Sequence, residues 1–352
     1  MSDKMRAVVA TAPNEYGIQM VDIPKPGIGE ALCRVKSVAL CGSDPGLFAG
    51  HYQNKGWPPH YPFIFGHEWS GEVVALGPET FGFQPGDRVA GEAHCGCGIC
   101  DNCRKGQYTL CLNYGKPELG HRHYGFTTNG AYAEYDVFKV KSLEKMPDEV
   151  SFDEATMCDT GGVALHAVDN AHITPAGFFA VWGPGPIGNL AMQIAKSRGT
   201  RTIMVGRRER LQMAGKCGAD FLVDYEKVNP VQEVMRITGG LGADEILESA
   251  GTQDALYQSI KSVKRDGNVV VLALYPKDDL VVPMDSIVIR QLHILGSRAN
   301  PNCSKRLMEL IQQKRINVGE LITHTFDLSE IKTAVDVFSH RRDGAMKVIV
   351  HP

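Results

Sequence analysis

The sequence predicts an α/β protein of two domains, one β-rich and one built on a doubly wound parallel sheet. Three observations predict it. The chain has 352 residues, and domains usually run to about 100–200 residues each. Roughly its first 150 residues carry short β-branched stretches broken by Gly and Pro, the signature of strands and turns. From about residue 160 short apolar runs alternate with helical patterns, which argues for parallel strands joined by crossover helices.

The elements follow in order. "MRAVVA", "LCRVKSVAL", "SGEVVALG", "DRVAGE" and "YAEYDVF" read as strands. Ala31, Cys33 and Val35 alternate with Arg34 and Lys36, a half-buried strand pattern that Leu32 breaks. "FFAVW" is a short apolar run ending on Gly183. "PIGNLAMQIAKSRG" follows, with Ile187, Leu190, Ala191, Ile194 and Ala195 at helical spacing and Gly199 as its stop. "TIMV", "FLVDY", "DEILESAG" and "GNVVVLALY" read as further strands, and "RERLQMAGKCGAD" as a helix with its exit. The alternation lasts to about residue 275. Beyond it "RLMELIQQKRI" reads as a helix and "MKVIV" as a terminal strand.

Composition narrows the function classes. The chain is 43% hydrophobic and 22% charged, with net charge -3. That balance gives no electrostatic reason to expect nucleic acid or an anionic membrane as partner. No apolar run approaches the ~18–20 residues that span a bilayer. The opening "MSDKMRAVVA" has no secretory core, so a cytoplasmic protein is expected. There, clustered cysteines serve as metal ligands or redox thiols more often than as disulfides.

"WGPGPIG" supplies Gly183, Gly185 and Gly188 as G-x-G-x-x-G, with Pro186 and Ile187 opening the helix. Gly183 permits the tight turn out of the strand, Gly185 lets backbone approach a pyrophosphate, and Gly188 lets helix pack on strand. The helix N-terminus then offers its unpaired N–H groups to the phosphate. The motif predicts a Rossmann dinucleotide site. An NAD site places Asp or Glu at the end of the second strand, ~20 residues on. Here Gly206 stands there, followed by Arg207 and Arg208. Guanidinium groups suit a 2′-phosphate, so NADP is expected over NAD.

Cys97, Cys100, Cys103 and Cys111 form C-x2-C-x2-C-x7-C. Four soft ligands at that spacing match tetrahedral zinc, and a closed shell leaves no position for substrate. A structural zinc is expected there, with an iron–sulfur cluster as the competitor. Cys95 is left over. "CGSD" and "GHE" place Cys41 and His67 as candidates for a second, catalytic zinc.

Taken in order, "CGSD", "GHEWSG", "PGDRV", the four-cysteine lobe, "GPGPIG" and "GAD" resemble the zinc-containing medium-chain alcohol and polyol dehydrogenases over essentially the whole chain. The resemblance implies a GroES-like catalytic domain over 1–160 and 294–352, with the zinc lobe at about 95–112. A Rossmann domain over 161–293 is inserted in it. It implies Cys41 and His67 as catalytic zinc ligands, Glu68 as a direct ligand or a swinging neighbour, and Asp159 as the remaining ligand, with adjacent Cys158 the alternative. Asp44 would orient the His67 ring, and Lys347 would pair with Glu68. Zinc would lower the pKa of a bound alcohol, Ser43 would accept its proton, and the carbinol carbon would give hydride to the nicotinamide.

Relatives carry a relay histidine where this chain has Gly46. His51 could replace it, though a surface-loop role suits it better, as structural roles suit His121, His123 and His166. The segment 48–61 mixes aromatic and polar groups, which suits a polyol pocket. The expected partners are a small alcohol or ketone and further copies of the chain, as a homodimer or homotetramer. A zinc-free quinone or enoyl reductase would lack Cys41, His67 and the cysteine lobe. A zinc-binding regulatory or nucleic-acid module is disfavoured by charge, length and the dinucleotide motif.

Overall fold

Strand Glu30–Ala39 organises the first of two units. Its buried side presents Ala31, Cys33 and Val35, while Leu32 turns outward with Arg34 and Lys36. Leu32 thus joins the polar face and leaves the buried row intact. The computed structural model describes residues 3–275 and 279–352. The first unit comprises the chain up to Gly162 with Asn300–Gln312 and Ile322–Pro352. The second comprises Val163–Ala299 and Gln313–Leu321.

In the first unit, Glu30–Ala39 pairs antiparallel with Glu68–Leu76, Tyr135–Lys139 and the terminal strand Lys347–His351. Arg88–Gly91 and Leu143–Lys145 extend one side, and Ile322–Asp327 the other. This register carries three functional candidates to one end of the sheet. Ala39 lies opposite Glu68, the residue after His67, and Lys347 begins the terminal strand. The core beneath is aromatic. Trp69 stacks on Phe138 at 3.9 Å between ring centroids, with Phe63, Phe65 and Tyr132 fully buried nearby. Each such ring contributes about 1.5–3 kcal/mol through burial. Ser151 and Glu154 form a capping box on the short helix Phe152–Ala155. It leads into helix Met157–Asn170, which carries Cys158, Asp159 and Thr160.

The second unit is a six-stranded parallel sheet. Its strands in chain order are Phe178–Trp182, Arg201–Gly206, Phe221–Asp224, Ala243–Glu248, Val263–Val271 and His293–Gly296. In space they run third, second, first, fourth, fifth, sixth. That reversal beside the first strand is the doubly wound arrangement, and dinucleotides bind at the carboxyl ends of strands where it occurs. The first strand is buried at every position, as its apolar run requires. The sixth strand carries the sheet past residue 293. It is short and exposed at three of its four positions at the sheet edge, so its pattern is weak in the sequence.

Candidate metal and dinucleotide sites

Four thiols meet in the loop around the short helix Asp101–Arg104. The sulfur atoms of Cys97, Cys100, Cys103 and Cys111 all lie within 4.8 Å of one another. Cys97 and Cys103 are 3.8 Å apart, and Cys100 and Cys111 4.0 Å. A tetrahedron with sulfur ~2.3 Å from its centre has edges of about 3.8 Å, so this donor set fits zinc. Backbone N–H groups of Cys97, Cys100, Leu112 and Asn113 point at the sulfurs at 3.4–3.5 Å, and the Asn113 side chain adds another at 3.3 Å. Burial opposes ionisation of Cys97, yet the N–H groups of Ile99 and Cys100 with Asn113 bring it down to about 6. Burial pushes Cys103 up to about 12. Cys95 stays outside the set, buried, with burial pushing its thiol up to about 11. No disulfide links any of the ten cysteines among the described residues.

The second set is Cys41, His67 and Glu68, whose ligand atoms also lie within 4.8 Å of one another. Burial alone would lower the His67 pKa. The Cys41 thiolate, its hydrogen bond to the ring, and the Asp44 and Glu68 carboxylates push it up to about 10 instead. Asp44 is fully buried. Its Oδ2 accepts from the Cys41 backbone at 2.7 Å and from the Tyr132 hydroxyl at 2.8 Å. Its Oδ1 faces His67 Nδ1 at 3.8 Å, and both atoms are buried with no hydrogen bond among the described residues. A buried imidazole beside a half-buried cysteine sulfur, with one ring nitrogen left unpaired among the described residues, suits a divalent cation.

Glu68 is committed on both oxygens. Thr160 Oγ1 donates to Oε1 at 2.7 Å, and Lys347 Nζ donates to Oε2 and also to the Leu40 carbonyl at 3.2 Å. Asp159 lies outside the converging set among the described residues. Its Oδ1 accepts from Ala93 N at 3.4 Å and Asn300 Nδ2 at 3.2 Å. Burial raises it to about 6, with the His67 charge pulling down and Glu68 pushing up. That coupling marks it as a neighbour of His67. Cys158 is buried against Glu92 and Ser304, with burial holding its thiol well above the ordinary value.

Ser43 precedes helix Asp44–Phe48 but caps nothing. Its Oγ is buried with no partner among the described residues, so the hydroxyl is free to serve a ligand. At Gly46 a Cβ would lie 2.7 Å from Cε2 of Tyr52 and 3.2 Å from its hydroxyl. The Tyr52 ring therefore fills the space in front of Gly46, and His51 is exposed. An aromatic path leads from this loop to His67. Tyr52 and Trp57 are 6.0 Å apart, Trp57 and Phe126 5.1 Å, Phe126 and His67 4.7 Å. His123 stacks on Phe126 and on His94, each at 3.9 Å. Sequence reasoning reached Tyr52 only as one residue of the segment 48–61, and gave Thr160 and Phe126 no role. Only a clash across a loop, or a contact across 92 positions as between Thr160 and Glu68, identifies them. In the second unit His166 is satisfied by the Ala299 carbonyl at 3.1 Å and Asn170 at 3.3 Å, a structural role.

The dinucleotide motif has the geometry its spacing predicts. Gly183 sits at φ 108°, closed to other residues. A Cβ at Gly188 would lie 2.0 Å from the Gly183 carbonyl, so helix Pro186–Ser197 packs directly on the turn. A Cβ at Gly185 would meet nothing closer than 3.9 Å, which leaves the cradle open for a pyrophosphate. Pro186 opens the helix, where a missing N–H costs nothing. Ile187 is half-buried behind it. Gly206 ends the second strand against Pro184, whose Cγ would lie 2.3 Å from a Cβ there. Arg207 and Arg208 follow, both exposed.

Comparison with known proteins agrees with this geometry. Residues 27–148 match the family model of the alcohol dehydrogenase GroES-like domain, and residues 186–313 that of the zinc-binding dehydrogenases. The chain is 32% identical to a sorbitol dehydrogenase of Halalkalibacterium halodurans, over 99% of each chain. It is 34% identical to an L-threonine 3-dehydrogenase of Pyrococcus horikoshii, over 93% of this chain and 92% of that one. A solved structure from Sinorhizobium meliloti 1021, described as a zinc-binding dehydrogenase bound to NADP, superposes with TM-score 0.90 at 28% identity, covering both chains fully. Among the described residues no helix is long and apolar enough to cross a membrane.

Proposed function

The chain belongs to the zinc-binding dehydrogenases with an alcohol dehydrogenase GroES-like domain, and from that premise we propose that it moves a hydride between NADP(H) and a secondary alcohol or ketone of a polyol, sugar or related small hydroxylated molecule. The observation that carries the proposal is the convergence of Cys41, His67 and Glu68 beside the unpartnered Ser43 hydroxyl. In this reading Cys41 and His67 would hold a catalytic zinc, Asp159 would complete the set by turning from Ala93 and Asn300, and Glu68 would stay held by Lys347 and Thr160. The zinc supplies a Lewis acid that lowers the pKa of a substrate hydroxyl.

The chain's own residues do the rest. Asp44 fixes the Cys41 backbone and stands behind His67. Ser43 Oγ accepts the proton of the carbinol and releases its own outward. Trp57 Nε1 is a buried donor with no partner among the described residues. It can only donate, so it suits a substrate oxygen. Its ring and that of Tyr52 suit the C–H faces of a polyol. Cys97, Cys100, Cys103 and Cys111 hold a structural zinc, two zinc ions per chain in all. Gly183, Gly185, Pro186, Ile187 and Gly188 cradle the cofactor pyrophosphate, and Arg207 and Arg208 take the 2′-phosphate at Gly206, which favours NADP over NAD.

We also propose a homodimer or homotetramer of cytoplasmic type. The exposed edge strand His293–Gly296 and the exposed Val281, Val288 and Ile289 of the second unit support self-association. The test is a screen of polyols, sugars and amino alcohols with NADP and with NAD, before and after chelation. Chelator-sensitive turnover of a polyol or sugar, with higher kcat/KM for NADP, is the expected result. Turnover of quinones or enoyl thioesters that survives chelation would point to the zinc-free reductases instead.

A further inference from the structure

At the end of strand Arg201–Gly206 one carboxylate is shared by two guanidinium groups. Arg207 Nη1 and Arg208 Nη2 both donate to Glu226 Oε1, each at 2.9 Å. Arg208 Nε donates to Oε2 at 3.2 Å. The turn that carries Glu226 is tied down: Tyr225 N donates to the Gly206 carbonyl at 3.2 Å, and Glu226 N to Asp224 Oδ1 at 3.1 Å. Arg207 also lies over the Tyr225 ring, 5.7 Å from its centroid. Two adjacent guanidinium groups repel, and an oxyanion between them removes that repulsion. A phosphate monoester would make the same bonds, with one oxygen shared between two planar forks. The Pro184 ring excludes an acid at position 206 itself, so the carboxylate reaches this place from the turn after the third strand.

We infer that Glu226 occupies the anion site of Arg207 and Arg208 as an internal stand-in for a ribose 2′-phosphate, and so limits how strongly the chain prefers NADP over NAD. The inference rests on the reading of these two arginines given under the proposed function. A 2′-phosphate has to displace the carboxylate or lie beside it, whereas a free 2′-hydroxyl meets neither cost. Glu226 therefore weakens the phosphorylated cofactor selectively. Side-chain exposures of 44% and 64% for the arginines and 35% for Glu226 mean that water screens the effect and keeps it modest.

Calorimetric titration of the full chain separates the readings without any turnover. The probes are adenosine 2′,5′-bisphosphate and adenosine 5′-monophosphate, which differ only in the 2′-phosphate. Glu226→Gln is expected to bind the bisphosphate about 2- to 5-fold tighter than the native chain, the range of an exposed charge pair. Binding of the monophosphate should stay the same, and the gain should shrink as salt rises. Unchanged or weaker bisphosphate binding by Glu226→Gln, with the native chain still preferring the bisphosphate, overturns this inference and leaves the cofactor reading standing. If the native chain binds both probes alike and Glu226→Gln gains the preference, Glu226 is the masking group and the native NADP preference fails. If neither protein prefers the bisphosphate, both readings fall.

Discussion

Lys347 Nζ holds the Glu68 carboxylate, although the two residues are 279 positions apart in the chain. Both side chains are almost wholly buried, at 3% and 2% exposure. Removing one partner of a buried pair leaves an uncompensated charge, which costs about 3–5 kcal/mol. Lys347→Met is therefore expected to lower the unfolding free energy by that amount in urea titrations. The double variant with Glu68→Gln should recover most of it. A single variant within about 1 kcal/mol of the native chain would show that the pair contributes little.

The four-thiol lobe answers to a different measurement. Its sulfurs are closed on one another and receive N–H groups from their own loop. Cys100→Ser is expected to lose one zinc per chain and to melt well below the native protein, because a structural zinc contributes directly to folding. The turnover number of the fraction that stays folded should be close to native. Full thermal stability with lost turnover would reverse the roles of the two sets.

Stability should fall as pH rises, and Asp136 is the reason. Burial pushes its carboxyl up to about 8, against the Val137 N–H and with help from Glu30, while the ordinary value is 3.8. The folded chain keeps a proton that the unfolded chain gives up between about pH 4 and pH 8. Across that window the folded state binds more protons, so stability declines with rising pH, and below it the group is neutral in both states. Glu92, which burial pushes up to about 7, adds to the same trend. Asp136→Asn should flatten the profile, with an advantage on the order of a few kcal/mol by pH 9. Parallel Tm profiles for variant and native chain from pH 5 to pH 9 would contradict it.

An acid placed at position 206 is not expected to bring NAD preference by itself. A Cβ at position 206 meets the Pro184 ring at 2.3 Å. Gly206→Asp is expected to lower Tm and to weaken NAD and NADP together, through displacement of the turn that holds the motif. Overpacking of this kind typically costs about 1–3 kcal/mol. A variant that gains NAD affinity at native Tm would show that Pro184 gives way freely.

The sequence announced those parts whose chemistry is local. The turn from Gly183 to Gly188 and the cysteine run from Cys97 to Cys111 have spacings that a single loop brings together, the glycines by close helix packing and the four sulfurs within 4.8 Å of one another. The alternating middle was legible as parallel strands joined by crossover helices, while the order of the strands came only with the structure. What packing alone decides was hidden. Tyr52 replaces a side chain at Gly46 only because the loop folds back. Thr160 reaches Glu68, and Glu226 reaches two arginines on another strand end. The edge strand His293–Gly296 has four residues, three of them exposed and none buried, and so little pattern. Asp159 shows the limit on the metal side. Its helix and burial bring it near His67, and its carboxylate is turned to Ala93 and Asn300.

The central claim is that the reactive metal belongs to Cys41 and His67 and not to the dense cysteine lobe. Zinc content measured beside NADPH turnover in Cys41→Ser tests it most directly. The account predicts one zinc per chain retained, a native-like Tm, and turnover reduced below detection. Retention of both zinc ions with undiminished turnover would contradict it.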